Sequence, residues 1–435
     1  MTVYRLVKYL QMQVIQTEGE AGMDGAVGAS ARWQWPVGDE ARVPYWVYTD
    51  PDLYALEQAR IFSGPTWSYV ALASEVPDIG SFKRTAIGER PVVVVRGADG
   101  TIRVVENRCA HRGVKFCQQD FGTTTEFLCP YHQWRYDLAG ALTSVPYRRG
   151  LKGQGGMPKE FRLEDHSLKQ LKVVERGGAV FASFAEAPPT FEDYLGPKML
   201  GYFDRLFNGR PLEVLGYSRQ RIPGNWKLML ENIKDPYHAG TLHVFFVTFG
   251  LFRADQPSRI EMDDTGMHAV LVSQKGEQVA NEVTSNLGQF QGDLRLADPR
   301  ILDPVKEFAG PETVVMQTLW PNVILQQQTN SLSTRQIQPR GPGAFDFVWT
   351  HFTYADDTPE MKQRRLRQAN LFGPAGLVSV DDGEVIEMAQ QGLVGYPEAA
   401  AVVEMGGYSV DDTQHQLTEA AIRKLYRHYR QVMGI

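Results

Sequence analysis

Short apolar runs alternate with turn residues through the first half of the chain, from about residue 68 to residue 184. Four valines at residues 92–95 form one such run, which ends at the turn Gly97-Ala98-Asp99-Gly100 before a second run at residues 102–105. Two apolar runs joined by a glycine-containing turn predict a β-hairpin. A last apolar run at residues 177–184 closes the region, so the pattern predicts a small β domain.

The pattern changes after the polar, proline-containing stretch at residues 186–189, which indicates a linker. Beyond it, four alternating segments predict an antiparallel meander: residues 314–319, 323–328, 331–338 and 345–354. Near the end of the chain, apolar side chains recur at helical spacing and predict an amphipathic helix whose stripe packs in the core: Ile422, Leu425, Tyr429 and Val432. The second region is therefore predicted to mix helices with an antiparallel sheet.

These changes divide the 435 residues into three predicted parts. Residues 1–42 are predicted to be a loosely ordered N-terminal extension, because most of them are rich in glycine, alanine and glutamate. Residues 43–185 are predicted to form the small β domain with a helical segment at its start, and residues 186–435 the second domain. A chain of this length has room for two or three domains of ordinary size.

Composition and charge exclude several classes of function. The net charge is −6 and no basic run occurs, which argues against a nucleic-acid partner or a membrane surface. No apolar stretch reaches membrane-spanning length. The three cysteines do not suggest disulfides, and this usage favours a reducing cytoplasm.

Two loops of similar design carry the most informative chemistry in the chain. Cys109-Ala110-His111 is followed after seventeen residues by Cys129-Pro130-Tyr131-His132, so each loop offers one sulfur and one imidazole. Two thiolates and two histidines are the ligands of a [2Fe–2S] cluster with unlike iron atoms, and the pattern resembles the Rieske motif. The alternative is a structural zinc ion, although zinc sites usually pair their cysteines as C-x-x-C. Cys117 is left over and is predicted to be a buried free thiol.

A second candidate metal site lies between residues 226 and 243. A helix predicted from Trp226 to Asn232 is disturbed by Pro236 and Gly240, and His238 and His243 stand five residues apart. That spacing does not share a face of a regular helix, but a bend can bring the two rings to one point. With one distant carboxylate they would form the facial triad of a non-haem ferrous site. The alternative is a pair of core histidines without a metal.

The two patterns together resemble one known family over nearly the whole chain after the N-terminal extension. C-x-H and C-x-x-H, followed by E-N-x-x-D-x-Y-H-x-x-x-x-H at residues 231–243, are similar to the large, catalytic subunits of Rieske non-haem iron aromatic-ring-hydroxylating oxygenases. The resemblance implies an α+β chain. A small all-β Rieske domain would be joined to a catalytic domain whose antiparallel sheet is wrapped by helices, an arrangement of the helix-grip type. It also implies two cofactors, a [2Fe–2S] Rieske cluster and a mononuclear non-haem Fe(II).

The resemblance assigns the carboxylate ligand to a late segment of the chain. Here that segment contains Gly373-Pro374-Ala375-Gly376 and then Asp381-Asp382-Gly383-Glu384. The family's ligand falls on Asp382, and Asp381 is the alternative. The resemblance therefore implies that His238, His243 and Asp382 hold the mononuclear iron.

Asp235 has a different implied role. In the family, this aspartate bridges a cluster histidine of one subunit to an iron-ligand histidine of its neighbour. Here it would lie between His238 and His132 of the adjacent chain, where one carboxylate could fix both rings. The alternative is an aspartate that only caps a helix end.

Within the family, three stretches are most similar to the oxygenases of benzoate-type aromatic acids: residues 148–150 with 155–158, residues 221–227, and residues 326–328 with 330–331. Salicylate 5-hydroxylase large subunits look closest, ahead of three-component anthranilate and terephthalate dioxygenases. An aromatic carboxylate favours a two-pronged cation, and Arg335 on a predicted strand is the candidate. Gln326 and Gln328 share a face of the preceding strand and could hydrogen-bond the substrate. An ordinary surface salt bridge is the alternative for the arginine.

The activity that the resemblance implies is hydroxylation of an aromatic carboxylic acid with O2 and with electrons from NADH through a reductase and a ferredoxin. Salicylate 5-hydroxylation to gentisate is the first expectation. Ring cis-dihydroxylation of anthranilate, terephthalate or a related benzoate is the alternative, and a non-catalytic Rieske electron carrier is a different class. A small β subunit in an α3β3 assembly is the implied partner.

Overall fold

The computed structural model describes residues 32–36, 40–249, 251, 256–275, 294–302 and 304–435. Most of the predicted N-terminal extension lies outside these residues. No helix in the described ranges is long and apolar enough to cross a membrane.

The first domain is built from three small antiparallel sheets. Its ten strands are β2 (Ser68–Leu72), β3 (Ser81–Ile87), β4 (Arg90–Arg96), β5 (Ile102–Glu106), β6 (Phe121–Thr123), β7 (Phe127–Leu128), β8 (Arg135–Tyr136), β9 (Leu142–Ser144), β10 (Lys172–Arg176) and β11 (Ala179–Ser183). They are ordered β5-β4-β3-β6, β7-β8-β9 and β10-β11-β2. The predicted hairpin is confirmed, because β4 pairs with β5 in register, with Val93 opposite Val105.

The second domain centres on one seven-stranded antiparallel sheet. Its strands are β12 (Leu212–Ile222), β13 (Ser258–Met262), β14 (Ala269–Gln274), β15 (Glu312–Leu319), β16 (Val323–Gln328), β17 (Ser331–Pro339) and β18 (Phe345–Tyr354). Their order is β12-β18-β17-β16-β15-β14-β13, so the four predicted meander strands are neighbours in the sheet. The predicted meander is confirmed. Every residue of β16, β17 and β18 is buried, because helices and the first domain cover the sheet.

Nine α-helices are described around these sheets. They are α1 (Trp46–Thr49), α2 (Pro51–Glu57, continued as a π-helical turn at Gln58–Phe62), α3 (Phe191–Leu206), α4 (Trp226–Lys234), α5 (Ala239–Leu242), α6 (Val244–Phe249), α7 (Pro359–Phe372), α8 (Ser379–Leu393) and α9 (Ala420–Met433). The predicted C-terminal helix is α9, and Ile422, Leu425 and Tyr429 of its stripe are buried in the main core as expected. Short 3-10 turns lie at Ala73–Glu75, Glu164–His166 and Pro299–Leu302.

The start of the described chain packs against the second domain as well as against the helices that follow it. Strand β1 (Arg42–Pro44) pairs with β19 (Ala400–Val402). Trp33 and Trp35, which fall in the predicted loose extension, are only 8% and 5% exposed. The described part of that extension is therefore packed, because its tryptophans close over the core beside α9.

A buried ion pair fixes this packing. The carboxylate of Glu57, at the end of α2, accepts hydrogen bonds from Lys227 Nζ (2.6 Å), Trp226 Nε1 (2.7 Å) and the Tyr429 hydroxyl (2.6 Å). Both charged side chains are at most 2% exposed, so each depends on the other for compensation of its charge. Helix α4 is thereby tied at its first turn to α2 and α9.

Candidate functional site

The two cysteine–histidine loops lie at neighbouring tips of the first domain and have the same local geometry. In each, the backbone N–H four residues after the cysteine donates to the cysteine carbonyl at 2.9 Å, from Gly113 to Cys109 and from Gln133 to Cys129. Gly113 and Gln133 have positive φ angles of 71° and 56°, the left-handed conformation that closes such a turn. The repeated turn aims both pairs of side chains at one region.

The donor atoms of the two loops converge. Both cysteines are 1% exposed, and burial raises the pKa of Cys129, whose thiol lies close to Cys109. The Nδ1 atoms of His111 and His132 are 3.1 Å apart, and Trp134 stacks on the His111 ring at 4.7 Å. Two buried sulfurs and two paired imidazole nitrogens form a donor set that fits a [2Fe–2S] cluster with thiolates on the inner iron and imidazoles on the outer one.

The second candidate site forms where helix α4 ends. Pro236 follows Asp235, the residue that terminates α4, and the short helix α5 then has His238 before its first residue and His243 after its last. Because four residues of α5 separate the two histidines, their rings turn toward one point. Asp382, in the first turn of α8, faces the same point.

The three side chains form a compact group of possible metal ligands. Asp382 Oδ1 lies 3.5 Å from His238 Nε2 and 3.3 Å from His243 Nε2, and the ligand atoms are all within 4.8 Å of one another. His243 and Asp382 are 2% and 4% exposed. Two imidazoles and one carboxylate on one side of a cavity fit a facial triad.

Each histidine also meets a second carboxylate through its other nitrogen. Asp235 Oδ2 is 3.4 Å from His238 Nδ1, and Asp381 Oδ2 is 3.3 Å from His243 Nδ1. Such contacts orient a metal-binding imidazole and fix its tautomer. Asp381 therefore lies outside the group of converging atoms, and Asp382 within it.

Asp235 also terminates the helix. Its Oδ1 accepts from the backbone N–H groups of Tyr237 (2.8 Å) and His238 (3.3 Å). Its side chain remains 19% exposed, so this chain alone does not enclose it. The two roles considered for this residue are thus compatible.

Sequence reasoning assigned no role to Asn232, which belongs to the site. Its amide nitrogen donates to Asp382 Oδ1 at 3.1 Å and lies 3.4 Å from His238 Nε2. The signal available in the sequence was its place on the last turn of a helix that ends at Asp235. A side chain there can reach across to α8, but only the fold shows that α8 is near.

The electrostatics of the group favour a cation at its centre. Burial works against the charged form of Asp382, but His238 and His243 hold the pKa of that carboxyl well below its usual range. Burial also works against a charged His238 ring, and hydrogen bonds to Asp235 and Asp382 outweigh it and raise its pKa to about 10. Carboxylates that draw a proton into this space would hold a metal ion in its place.

A cavity of about 450 Å³, its open mouth included, borders the group. Its polar lining comes from the candidate metal ligands and from Asn232, Asp235, Gln328 and Arg335. Its apolar lining consists of Ile233, Ala239, Phe246, Leu271, Val314, Met316 and Val378. This mixture of side chains suits a small, largely apolar ligand with a few polar groups.

Arg335 is a buried cation on the wall of this cavity. It is 4% exposed, and its guanidinium lies 4.0 Å from the ring centre of Trp349, which is opposite it on the neighbouring strand β18. Burial lowers its pKa to about 9, which still leaves it charged at neutral pH, and its Nε has no hydrogen-bond partner. Among the described residues, no carboxylate forms an ion pair with it, so the surface salt bridge considered from the sequence does not occur there.

The two glutamines of β16 lie one behind the other. Gln328 lines the cavity, and Gln326 is fully buried and is not part of the lining. Gln326 Nε2 donates to Gln328 Oε1 at 3.0 Å. The structure thus brings Gln328 and Arg335 to the cavity and places Gln326 in contact with the first of them.

Glu231 sits one turn before Asp235 on the buried side of α4. It accepts hydrogen bonds from the hydroxyls of Tyr48 (3.1 Å) and Tyr426. Burial raises its pKa from 4.5 to about 7, although both tyrosines oppose the shift. The folded protein therefore binds a proton here more readily than the unfolded chain does.

Glu231 is expected to make the protein less stable as the pH rises. Its contribution is fully present below about pH 4.5 and is lost as the pH rises toward 7, where the buried carboxyl ionises. Glu231→Gln should remove this slope, so its stability relative to the wild type should improve between pH 5 and pH 8. Urea unfolding at both pH values measures the difference, with the exposed Glu384→Gln as control. Equal pH dependence in wild type and Glu231→Gln would contradict the assignment.

Comparison with known proteins identifies the families of the two domains. Residues 210–435 match the family of ring-hydroxylating alpha subunits (catalytic domain), and residues 66–155 match the Rieske [2Fe–2S] domain. The chain is 56% identical over 408 residues to the large oxygenase component of salicylate 5-hydroxylase from Ralstonia sp., which covers 92% of this chain and 96% of that relative. It is 42% identical to the large subunit of anthranilate 1,2-dioxygenase from Burkholderia cepacia, over 92% of this chain and 95% of that one.

The fold is also that of a solved structure. Naphthalene 1,2-dioxygenase from Rhodococcus sp., with indole bound, superposes with a TM-score of 0.76 at 24% identity over 91% of this chain and 95% of that chain. The match to the Rieske domain argues against a zinc ion in the two loops. The match to the catalytic domain argues against a non-catalytic electron carrier.

Proposed function

Because the chain belongs to the family of ring-hydroxylating oxygenase alpha subunits with a Rieske domain, we propose that it hydroxylates salicylate at the carbon para to the hydroxyl, giving gentisate. The observation that carries this proposal is the buried Arg335, which has no carboxylate partner among the described residues, on the wall of the cavity beside His238, His243 and Asp382. A desolvated arginine without a carboxylate partner is a site for an anionic ligand.

The family's two cofactors fit the residues present. Cys109, His111, Cys129 and His132 would hold the [2Fe–2S] cluster, which supplies electrons one at a time. His238, His243 and Asp382 would hold the mononuclear Fe(II), which supplies open coordination positions for dioxygen and the redox chemistry of hydroxylation. Asn232, Asp235 and Asp381 hold these ligands in place through the contacts described above.

The chain's own residues position the substrate. The Arg335 guanidinium would bind the carboxylate through two parallel N–H bonds, and its stacking on Trp349 fixes the plane of that fork. The apolar side chains of the lining would pack on the two faces of the ring and exclude water. With the carboxylate held on β17, the ring would lie in the cavity that Arg335 and Asp382 both line.

The similarity to known oxygenase components also suggests which proteins this chain works with. The relative from Ralstonia sp. is described as the large component of an oxygenase. We propose that this chain likewise works with a small β subunit in an α3β3 assembly, and that an NADH-dependent reductase and a ferredoxin deliver its electrons. Aromatic acid and O2 are the small-molecule substrates.

Turnover by the reconstituted system tests the proposal. Salicylate, anthranilate, terephthalate and benzoate would each be supplied with NADH, reductase and ferredoxin, and products identified by mass and chromatography. Salicylate should give gentisate with the highest kcat/KM. A cis-diol-derived product from anthranilate or terephthalate at a higher kcat/KM would instead establish the dioxygenase alternative, which the same ligand set can support.

Arg335→Met is expected to raise the KM for salicylate by about 30-fold, because charge-assisted hydrogen bonds to the carboxylate are lost. Arg335→Lys should recover part of the loss, since a point charge replaces the fork. Steady-state kinetics with salicylate and with neutral salicylamide measure the effect. Salicylamide should be affected much less, and the exposed Arg219→Met should leave both KM values unchanged. Equal losses for acid and amide would show that Arg335 does not bind the carboxylate.

A further inference from the structure

The orientation of one buried amide determines what Gln328 can offer to a ligand. Gln328 Oε1 already accepts a hydrogen bond from Gln326 Nε2 at 3.0 Å. A glutamine side chain has one carbonyl and one NH2 group, so Gln328 has its NH2 group left for the cavity that it lines. At this position the wall is therefore a hydrogen-bond donor.

The surroundings of Gln326 favour this orientation. Its cross-strand neighbours are Met316 on β15, which offers only a thioether, and Ser333 on β17. Within the part of the chain that the structure describes, the carbonyl oxygen of Gln326 and the hydroxyl oxygen of Ser333 are both buried without a hydrogen-bond partner. The Ser333 hydroxyl can donate toward that carbonyl through one bridging water.

The ortho substituent of a benzoate determines whether the ligand can accept a hydrogen bond from this donor on the wall. In salicylate the hydroxyl proton bonds to the neighbouring carboxylate, so the hydroxyl oxygen has lone pairs free to accept. In anthranilate one amino N–H bonds to the carboxylate, and the other points outward as a donor. A donor on the wall complements the first arrangement and opposes the second, and burial makes an unmatched donor costly.

We propose that Gln326, without touching the substrate, fixes Gln328 as a hydrogen-bond donor and so makes the cavity select an aromatic acid with an oxygen rather than an amino group beside the carboxylate. Gln326 is a positioning residue in this account, and Gln328 makes the contact. The inference rests on the proposed function, since it assumes that Arg335 holds the carboxylate.

Gln326→Met tests the inference, because methionine keeps the approximate length of the side chain and removes its amide. Gln328 can then rotate, and the ratio of kcat/KM for salicylate to that for anthranilate should fall by about tenfold. Benzoate, which has no ortho substituent, should keep its kcat/KM. Calorimetric Kd values for the three acids with the full oxygenase should show the same pattern without turnover.

Gln327→Met is the matched control. Gln327 is the next residue of β16, is equally buried and points to the opposite face, where it accepts a hydrogen bond from Arg205 at 2.9 Å. Loss of its amide should change kcat/KM for the three acids by the same factor, whatever its effect on the stability of the protein. The salicylate to anthranilate ratio should stay at the wild-type value.

Gln326→Glu provides a second variant that does not depend on the first one folding. A carboxylate accepts only, so Gln328 must donate to it and turn its own carbonyl to the cavity. The ratio of kcat/KM for salicylate to that for anthranilate should then fall below the ratio measured for Gln326→Met. Any effect of the new charge on Arg335 is common to all three acids and cancels in the ratio.

Two results would overturn the inference. One is an unchanged salicylate to anthranilate ratio in both Gln326 variants, and the other is an equal loss for all three acids, which a purely structural role predicts. Failure of the proposed function looks different, because the wild type itself would then prefer anthranilate to salicylate or turn over none of these acids. In that case the wild type would have no preference for salicylate that Gln326→Met could lose.

Discussion

Asp382→Ala is expected to abolish turnover and to release one iron per chain while the reduced cluster keeps its paramagnetic signal. Asp382 Oδ1 is within 3.5 Å of the Nε2 atoms of both histidines and is the carboxylate at their meeting point. Without it, two imidazoles remain, which are too few to hold Fe(II) in a facial arrangement. The iron content should fall from about three atoms per chain to about two, the number in the cluster.

Asp381→Ala is the informative control for that loss. Asp381 contacts only the outer nitrogen of His243, at 3.3 Å, so its removal should weaken iron binding by about 10- to 100-fold and not abolish it. The exposed Glu384→Gln, on the same helix, should behave like the wild type. Complete iron loss in Asp381→Ala with retention in Asp382→Ala would reverse the assignment of the two aspartates.

Asp235→Asn is expected to keep both metals and to lower turnover by about 100-fold or more. Asparagine can still accept the backbone N–H groups of Tyr237 and His238, so the end of α4 should keep its shape. What is lost is the negative charge 3.4 Å from His238 Nδ1, which orients that ring and which the resemblance implies would also bind a histidine of an adjacent subunit. Iron content, the cluster signal and NADH-coupled product formation are the three readouts.

Asp235→Ala separates the two roles of this residue. It removes the helix-end hydrogen bonds as well as the charge, so a loss of thermal stability should appear in Asp235→Ala and not in Asp235→Asn. Both variants should show the same loss of turnover. Full coupled activity in Asp235→Asn would mean that this carboxylate only caps the helix, and the proposed link between subunits would be wrong.

The elements that could be predicted from the sequence are those with strong local patterns. The β4–β5 hairpin, the four strands β15 to β18 and the helix α9 were predicted because alternation and helical spacing are visible within ten or fifteen residues. The two cysteine–histidine loops were visible for a similar reason. Their ligand spacing is local, and the Rieske domain match over residues 66–155 agrees with it.

The parts that could not be predicted depend on contacts between distant segments. Asn232 meets Asp382 across 150 residues of chain, and Glu57 meets Lys227 across 170. Neither pairing leaves a trace in composition or periodicity, because each residue is an ordinary polar position on its own helix. For the same reason, the packing of Trp33 and Trp35 on the second domain could not be seen in a stretch whose composition suggests loose order.

The contacts around the cavity could not be predicted from local sequence patterns alone. Arg335 was a candidate because it follows a glutamine-rich strand, but an arginine on a strand is most often paired at the surface. Only the fold shows that it is buried, that it stacks on Trp349 and that its Nε is unpaired. The order of Gln326 behind Gln328 likewise depends on which face of β16 meets the cavity.

A single-turnover experiment tests the central claim most directly. The oxygenase, reduced in the absence of air and freed of reductase and ferredoxin, would be mixed with salicylate and O2, and gentisate quantified against mononuclear iron. The account predicts gentisate in proportion to that iron, with none from Asp382→Ala and little from Arg335→Met at low salicylate. Oxidation of the reduced protein by O2 with salicylate recovered unchanged would contradict it.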